Sequence, residues 1–104
     1  MKKFVIGWVT FKPGMRDRFV AETRAHLANM RKEEGCVFAE INLSLDAPNG
    51  AVFAECFKSQ EAHDIHNATP QMKWFVKEMS EIVTEGRFEN IFSDDVTVDE
   101  VRYT

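Results

Sequence analysis

The chain has 104 residues, 44% of them apolar and 29% charged, which suits one globular domain over residues 1–104. Disorder is excluded, because this much apolar material offsets the entropy of ordering. Thirteen basic against 17 acidic residues leave a net charge of −4, which argues against a nucleic-acid footprint or an anionic membrane surface. Two cysteines are too few for a disulfide scaffold, and no apolar run is long enough to insert in a membrane, so reduced thiols and a cytoplasmic location are expected.

Lys3 to Phe11 reads as a strand, closed by the turn Pro13-Gly14. Phe4, Ile6 and Trp8 fall on one side and Val5, Val9 and Phe11 on the other, so both faces ask for cover. Met15 to Glu34 reads as a helix with Phe19, Thr23, Leu27 and Met30 on its buried stripe. His26 is placed opposite that stripe, facing solvent, and Gly35 is read as the left-handed stop. A second strand is expected from Cys36 to Leu45, then an Asn49-Gly50 hairpin turn and a third strand from Ala51 to Lys58.

Ser59 has the character of a helix cap, with a short helix over Glu61 to Ala68. Thr69-Pro70 then opens a longer helix, Thr as cap and Pro at the first helical position, with Met72, Phe75, Val76, Met79, Ile82 and Val83 on its stripe and Gly86 as its stop. The last strand is expected at Asp95 to Tyr103, where the apolar parity changes between Val98 and Val101. The order β-α-β-β-α(α)-β is that of an α+β, ferredoxin-like domain: a four-stranded antiparallel sheet with helices on one face. Because the strands are apolar on both sides, a homodimer packing sheet on sheet is expected.

Two chemistries are open to His63 and His66, which share a face of the short helix. They could form a metal pair completed by a cysteine or a carboxylate, but no third ligand has a recognisable spacing. Alternatively His66 is a general acid/base, placed where one helix breaks and the next begins, with the plain alternative of a histidine capping a helix end. Phe38, Glu40, Asn42, Phe53 and Glu55 are read as sharing one sheet face, and a carboxylate among phenylalanines is either solvated or paired in a pocket. Trp74 lies off the stripe of the long helix, half exposed or at a cleft rim. With Tyr103 the only phenol, hydrogen bonds to a substrate oxygen fall to His66, Asn67, Asn42 or an indole.

Three stretches together resemble the antibiotic biosynthesis monooxygenase superfamily of dimeric α/β barrels: Lys12-Pro-Gly14, Glu33-Glu-Gly-Cys36, and the block Glu55-Cys-Phe-Lys-Ser-Gln-Glu-Ala62 with His66-Asn-Ala-Thr-Pro-Gln-Met-Lys73. The resemblance spans nearly the whole chain and is closest to quinol monooxygenases, which oxygenate aromatic hydroquinones with O₂ and no metal or flavin. It implies a pocket between sheet and helices, a small aromatic substrate, no cofactor, and His66 as the recurrent histidine. It adds Gln71 to the expected substrate contacts, at a position where relatives often carry a second histidine. The resemblance does not favour the haem-degrading branch, whose Asn, Trp and His positions correspond here to Gly7, His66 and Val76. Two other readings share the scaffold: an enzyme similar to the autoinducer-2 phosphate isomerase, with Lys58 or Lys73 for a phosphate, and a non-catalytic protein that holds an aromatic metabolite.

Overall fold

Strict alternation along β1 (Lys2–Phe11) organises the molecule: Lys3, Val5, Val9 and Phe11 are buried, while Phe4, Ile6, Trp8 and Thr10 are partly or largely exposed. The computed structural model describes residues 1–103. After β1 come α1 (Arg16–Met30), β2 (Cys36–Leu43), β3 (Gly50–Phe57), α2 (Gln60–Ala68), α3 (Pro70–Ile82) and β4 (Val83–Ser93). The four strands form one antiparallel sheet in the order β2-β3-β1-β4, the expected ferredoxin-like arrangement. Among the described residues, no helix is long and apolar enough to cross a membrane.

The helices cover the Val5–Val9–Phe11 face. One core cluster joins Val9, Phe11, Phe19, Phe53, Phe75 and Ile82; a second joins Val5, Leu27, Met30, Ala39 and Phe57. Each fully buried phenylalanine contributes about 1.5–3 kcal/mol of transfer free energy, so these clusters fix where α1 and α3 sit. The opposite face carries Phe4, Ile6, Trp8, Phe38 and Ile91, and among the described residues no helix lies over it.

Several boundaries differ from the sequence reading. Helix α1 stops at Met30 rather than Glu34, because Lys32-Glu33-Glu34 supply no apolar side chain to hold another turn. Gly35 is not left-handed; among the described residues only Gly14 has a positive φ, 83°, at the turn after Pro13. Gly35 is instead required by close approach, since a Cβ there would lie 2.5 Å from the Cβ of Ala62 on α2. Asn49-Gly50 is not a two-residue turn with positive φ: β2 ends at Leu43, β3 begins at Gly50, and a longer loop joins them.

The last strand is misplaced in the sequence reading. The sheet is completed by Val83–Ser93, while 94–103 have no regular structure. The long helix accordingly ends at Ile82, and Gly86 lies within β4. Edge strand β4 is exposed along most of its length, so its sequence carries little of the alternation that marks a buried strand.

Candidate functional site

Two hydroxyl caps position the short helix α2. The Ser59 hydroxyl oxygen accepts from Ala62 N–H at 3.0 Å. At the other end the Thr69 backbone N–H and its hydroxyl both donate to the His66 carbonyl, at 3.2 and 2.8 Å, while the same hydroxyl oxygen accepts from Met72 N–H at 3.1 Å. Thr69 thus ends α2, starts α3 and clamps the backbone of His66.

His66 is 2% exposed, and its Nδ1 lies 2.8 and 3.0 Å from the two carboxylate oxygens of Glu33. A carboxylate there accepts the Nδ1–H and leaves Nε2 as the basic nitrogen of the neutral ring. The ring lies 5.2 Å from Phe57, 5.6 Å from His26 and 6.1 Å from His63.

His26 corrects the sequence reading: it is buried, not solvated, and stacks on Phe75 at 3.8 Å with the rings 2° apart. Positions 19, 23, 26, 27 and 30 form one helical stripe, so the period already contained this residue. Burial, with a smaller push from His66, holds the His26 pKa down to about 4. His63 is likewise held to about 4, by burial first and then by Lys3 and His66, with Asp64 opposing. The buried Nδ1 atoms of His26 and His63 have no hydrogen-bond partner among the described residues.

Glu55 is 7% exposed and pairs in register with Val5 on one side and Ala39 on the other. No described residue hydrogen-bonds its carboxyl group. Burial, and then the charge of Glu33, raise its pKa to about 7.

These groups surround a cavity of about 580 Å³ between sheet and helices. His26, His63, His66, Glu55, Glu85 and Asn90 are among its polar lining residues, and Val9, Phe53, Met72, Phe75, Met79 and Phe88 are among its apolar walls. Of the expected site residues, His66, Phe53 and Glu55 line it. Phe38 and Asn42 do not: register pairs Phe38 with Cys56 and Asn42 with Val52, which places both on the uncovered face, one residue out of step with Phe53 and Glu55. Asn67, Gln71 and Trp74 are exposed on α2 and α3 and also lie outside the lining. The Asn67 amide instead meets His63 Nε2 at 3.5 Å. Among the described residues no three His, Cys, Asp or Glu side chains gather as a metal-holding set, so His63 and His66 gain no third ligand.

The sequence reading missed Glu33 as the partner of His66, and Phe88 and Asn90 as lining residues. Nothing local links positions 33 and 66, and the other two lie in the strand that the reading displaced.

A sequence profile described as antibiotic biosynthesis monooxygenase matches residues 4–78. Among curated proteins none matches the chain. Protein SO0527 from Shewanella oneidensis is 26% identical with a TM-score of 0.81, over 86% of this chain and 88% of that one. A solved antibiotic biosynthesis monooxygenase is 24% identical with a TM-score of 0.82, over 89% and 98% of the two chains. Rv0793 from Mycobacterium tuberculosis is 22% identical with a TM-score of 0.81, over 98% and 100%. The last two likenesses bear on the fold alone. The profile match, which spans well over half of the residues, agrees with the strand order and with the cavity beneath the helices: the chain belongs to the antibiotic biosynthesis monooxygenase family.

Proposed function

We propose that the chain is a monooxygenase that oxidises a small aromatic hydroquinone with O₂, using His66 as its base. The observation that carries this reading is a histidine held by a carboxylate at one nitrogen and lining a largely apolar cavity. Nε2 of His66 accepts a phenolic proton, and Glu33 stabilises the imidazolium that forms. The electron-rich phenolate reduces O₂ directly, so the substrate supplies the electrons. One oxygen atom enters the ring and the other leaves as water: hydroquinone plus O₂ gives hydroxyquinone plus water, with four electrons and all atoms accounted for. A cavity walled by Phe53, Phe75 and Met79 excludes water from the anion and strengthens each hydrogen bond to it.

The isomerase reading needs a cation for a phosphate group. No Lys or Arg is among the described lining residues, and Lys58 and Lys73 are exposed elsewhere. The uncovered sheet face supports a homodimer as the working form.

Oxygen uptake with a panel of reduced naphthoquinones tests the proposal. Wild type should turn at least one over well above its autoxidation rate, and His66→Ala should lose that activity while keeping its circular dichroism. Tight binding of the quinols with no turnover would leave a carrier rather than an enzyme. Conversion of a phosphorylated ketone without oxygen would favour the isomerase.

A further inference from the structure

The floor of the cavity contains an unusual contact. Gly7 of β1 is paired in register with Phe88 of β4 and with Phe53 of β3, so the three residues form one row across the sheet. A Cβ on Gly7 would lie 2.4 Å from both Cδ1 and Cε1 of Phe88, closer than carbon atoms approach. A Cβ on Gly86, two residues before Phe88 on the same strand, lies 3.3 Å from its Cε2. The Phe88 ring therefore lies down over the bare backbone of β1, where any side chain at position 7 would stop it. The Phe53 ring meets it edge-on at 5.8 Å and 83°. Phe88 nevertheless stays 50% exposed and lines the cavity.

A ring that served only to fill space over a glycine would be covered by its neighbours. This one is backed by the strand, braced at its edge by Phe53, and left open on the cavity side. Beside it on the same face, Val9 opposite Gly86 is apolar, while Asn90, two residues on along β4, can hydrogen-bond a ligand's edge but offers no flat surface to fix its plane. Aromatic rings favour offset stacking or edge contacts with other rings over contact with saturated carbon of equal size.

We propose that Phe88, laid flat by Gly7, is a stacking platform that selects planar aromatic rings over saturated substrates of the same size. This deepens the function proposed above and rests on it: the platform sets the plane of the hydroquinone, and His66 takes its proton.

The test is anaerobic calorimetry on the full chain with two probes, 1,4-dihydroxynaphthalene and its fully saturated diol counterpart. Wild type should bind the planar probe more tightly. Phe88→Leu should weaken the planar probe by about three- to tenfold, the range of an aromatic pair, and leave the saturated one nearly unchanged. Gly7→Ala should produce the same selective loss by pushing the ring off the strand, and in a Phe88→Leu background it should add little. A purely structural contact would lower the melting temperature in these variants and weaken both probes equally, and that outcome overturns the platform. Hydroquinone turnover by wild type with no planar preference would overturn the platform while leaving the function intact. Absence of both binding and turnover of the planar probe overturns the two together.

Discussion

Glu33 and His66 are joined at two points, with His66 Nδ1 2.8 Å from one oxygen of the carboxylate and 3.0 Å from the other. The imidazole cannot turn about its Cβ–Cγ bond without breaking this contact. His66→Ala should lower kcat by about 10²–10⁴, the usual worth of a positioned general base. Glu33→Gln leaves the histidine in place but offers it an amide, which no longer selects the Nδ1–H tautomer. Its kcat should fall by roughly tenfold or more, with KM little changed. Steady-state oxygen uptake checks both, and an unaltered kcat in Glu33→Gln would remove Glu33 from the mechanism.

Glu55 binds its proton more tightly in the fold than in the unfolded chain, with its pKa raised from 4.5 to about 7. The stability it contributes is fully present below pH 4.5 and is lost as pH rises through 7. The difference of about 2.5 units sets an upper bound of roughly 3 kcal/mol. Glu55→Gln removes the titration, so it should be more stable than wild type at pH 8 and close to wild type at pH 4. Urea denaturation at the two pH values measures the difference.

His26 and His63 oppose this trend. Each is held from 6.5 down to about 4, so the stability they contribute is present above pH 6.5 and is lost as pH falls toward 4. His26→Phe retains a flat ring against Phe75 and cannot take up a proton. Its stability relative to wild type should rise steadily between pH 6.5 and pH 4 in the same denaturation series. A constant offset across that window would mean that His26 does not titrate as a buried group.

The fold was legible wherever burial is one-sided and local. Ser59 and Thr69 announced both caps, because a hydroxyl before a helix has a single geometric use. The alternation along β1 separated Val5, Val9 and Phe11 from Phe4, Ile6 and Trp8, but with both sets apolar it did not say which face the helices cover. Edge strand β4 was not legible, since exposed Glu85, Arg87 and Phe88 erase the alternation that a buried strand would show. The sequence placed His66, Glu55 and Phe53 where they line the cavity, but it put Phe38 and Asn42 on the wrong sheet face. A bulge between Cys36 and Phe38 sets the β2–β3 register, and a one-residue offset moves a side chain to the other face. The Glu33–His66 pair depends on how α1 and α2 pack, which no local pattern reports.

Gly35 places α2 against the turn that carries Glu33. Adding a methyl group would put its carbon 2.5 Å from the Ala62 Cβ and 3.3 Å from its Cα. Gly35→Ala should therefore destabilise the fold by about 1–3 kcal/mol, the common cost of overpacking. Because the same displacement moves His66 away from Glu33, kcat should fall as well. Ala62→Gly in the Gly35→Ala background removes one of the two clashing carbons and should recover part of both losses. Thermal melts and oxygen uptake on the two variants provide the check.

The uncovered sheet face yields the last prediction. Trp8, Phe38 and Ile91 are each more than two-fifths exposed on it, and Phe4 packs against Phe38 at 6.3 Å between ring centroids. Soluble monomers rarely leave contiguous apolar patches of this kind in water, and a stable interface needs roughly 1,000 Å² or more of buried surface. In the proposed homodimer a second copy of the chain would lie sheet to sheet on this patch, bringing the same apolar side chains together across a two-fold axis. Trp8 lies in central strand β1, and its ring is approached by the Arg87 guanidinium at 5.7 Å. Trp8→Glu would bring two carboxylates into a desolvated interface while leaving the helix-covered core untouched. Sedimentation should find the wild type dimeric and Trp8→Glu monomeric, with its circular dichroism retained. A Trp8→Glu chain that still sediments as a dimer would place the contact on another face, and a monomeric wild type would leave this face without a partner copy.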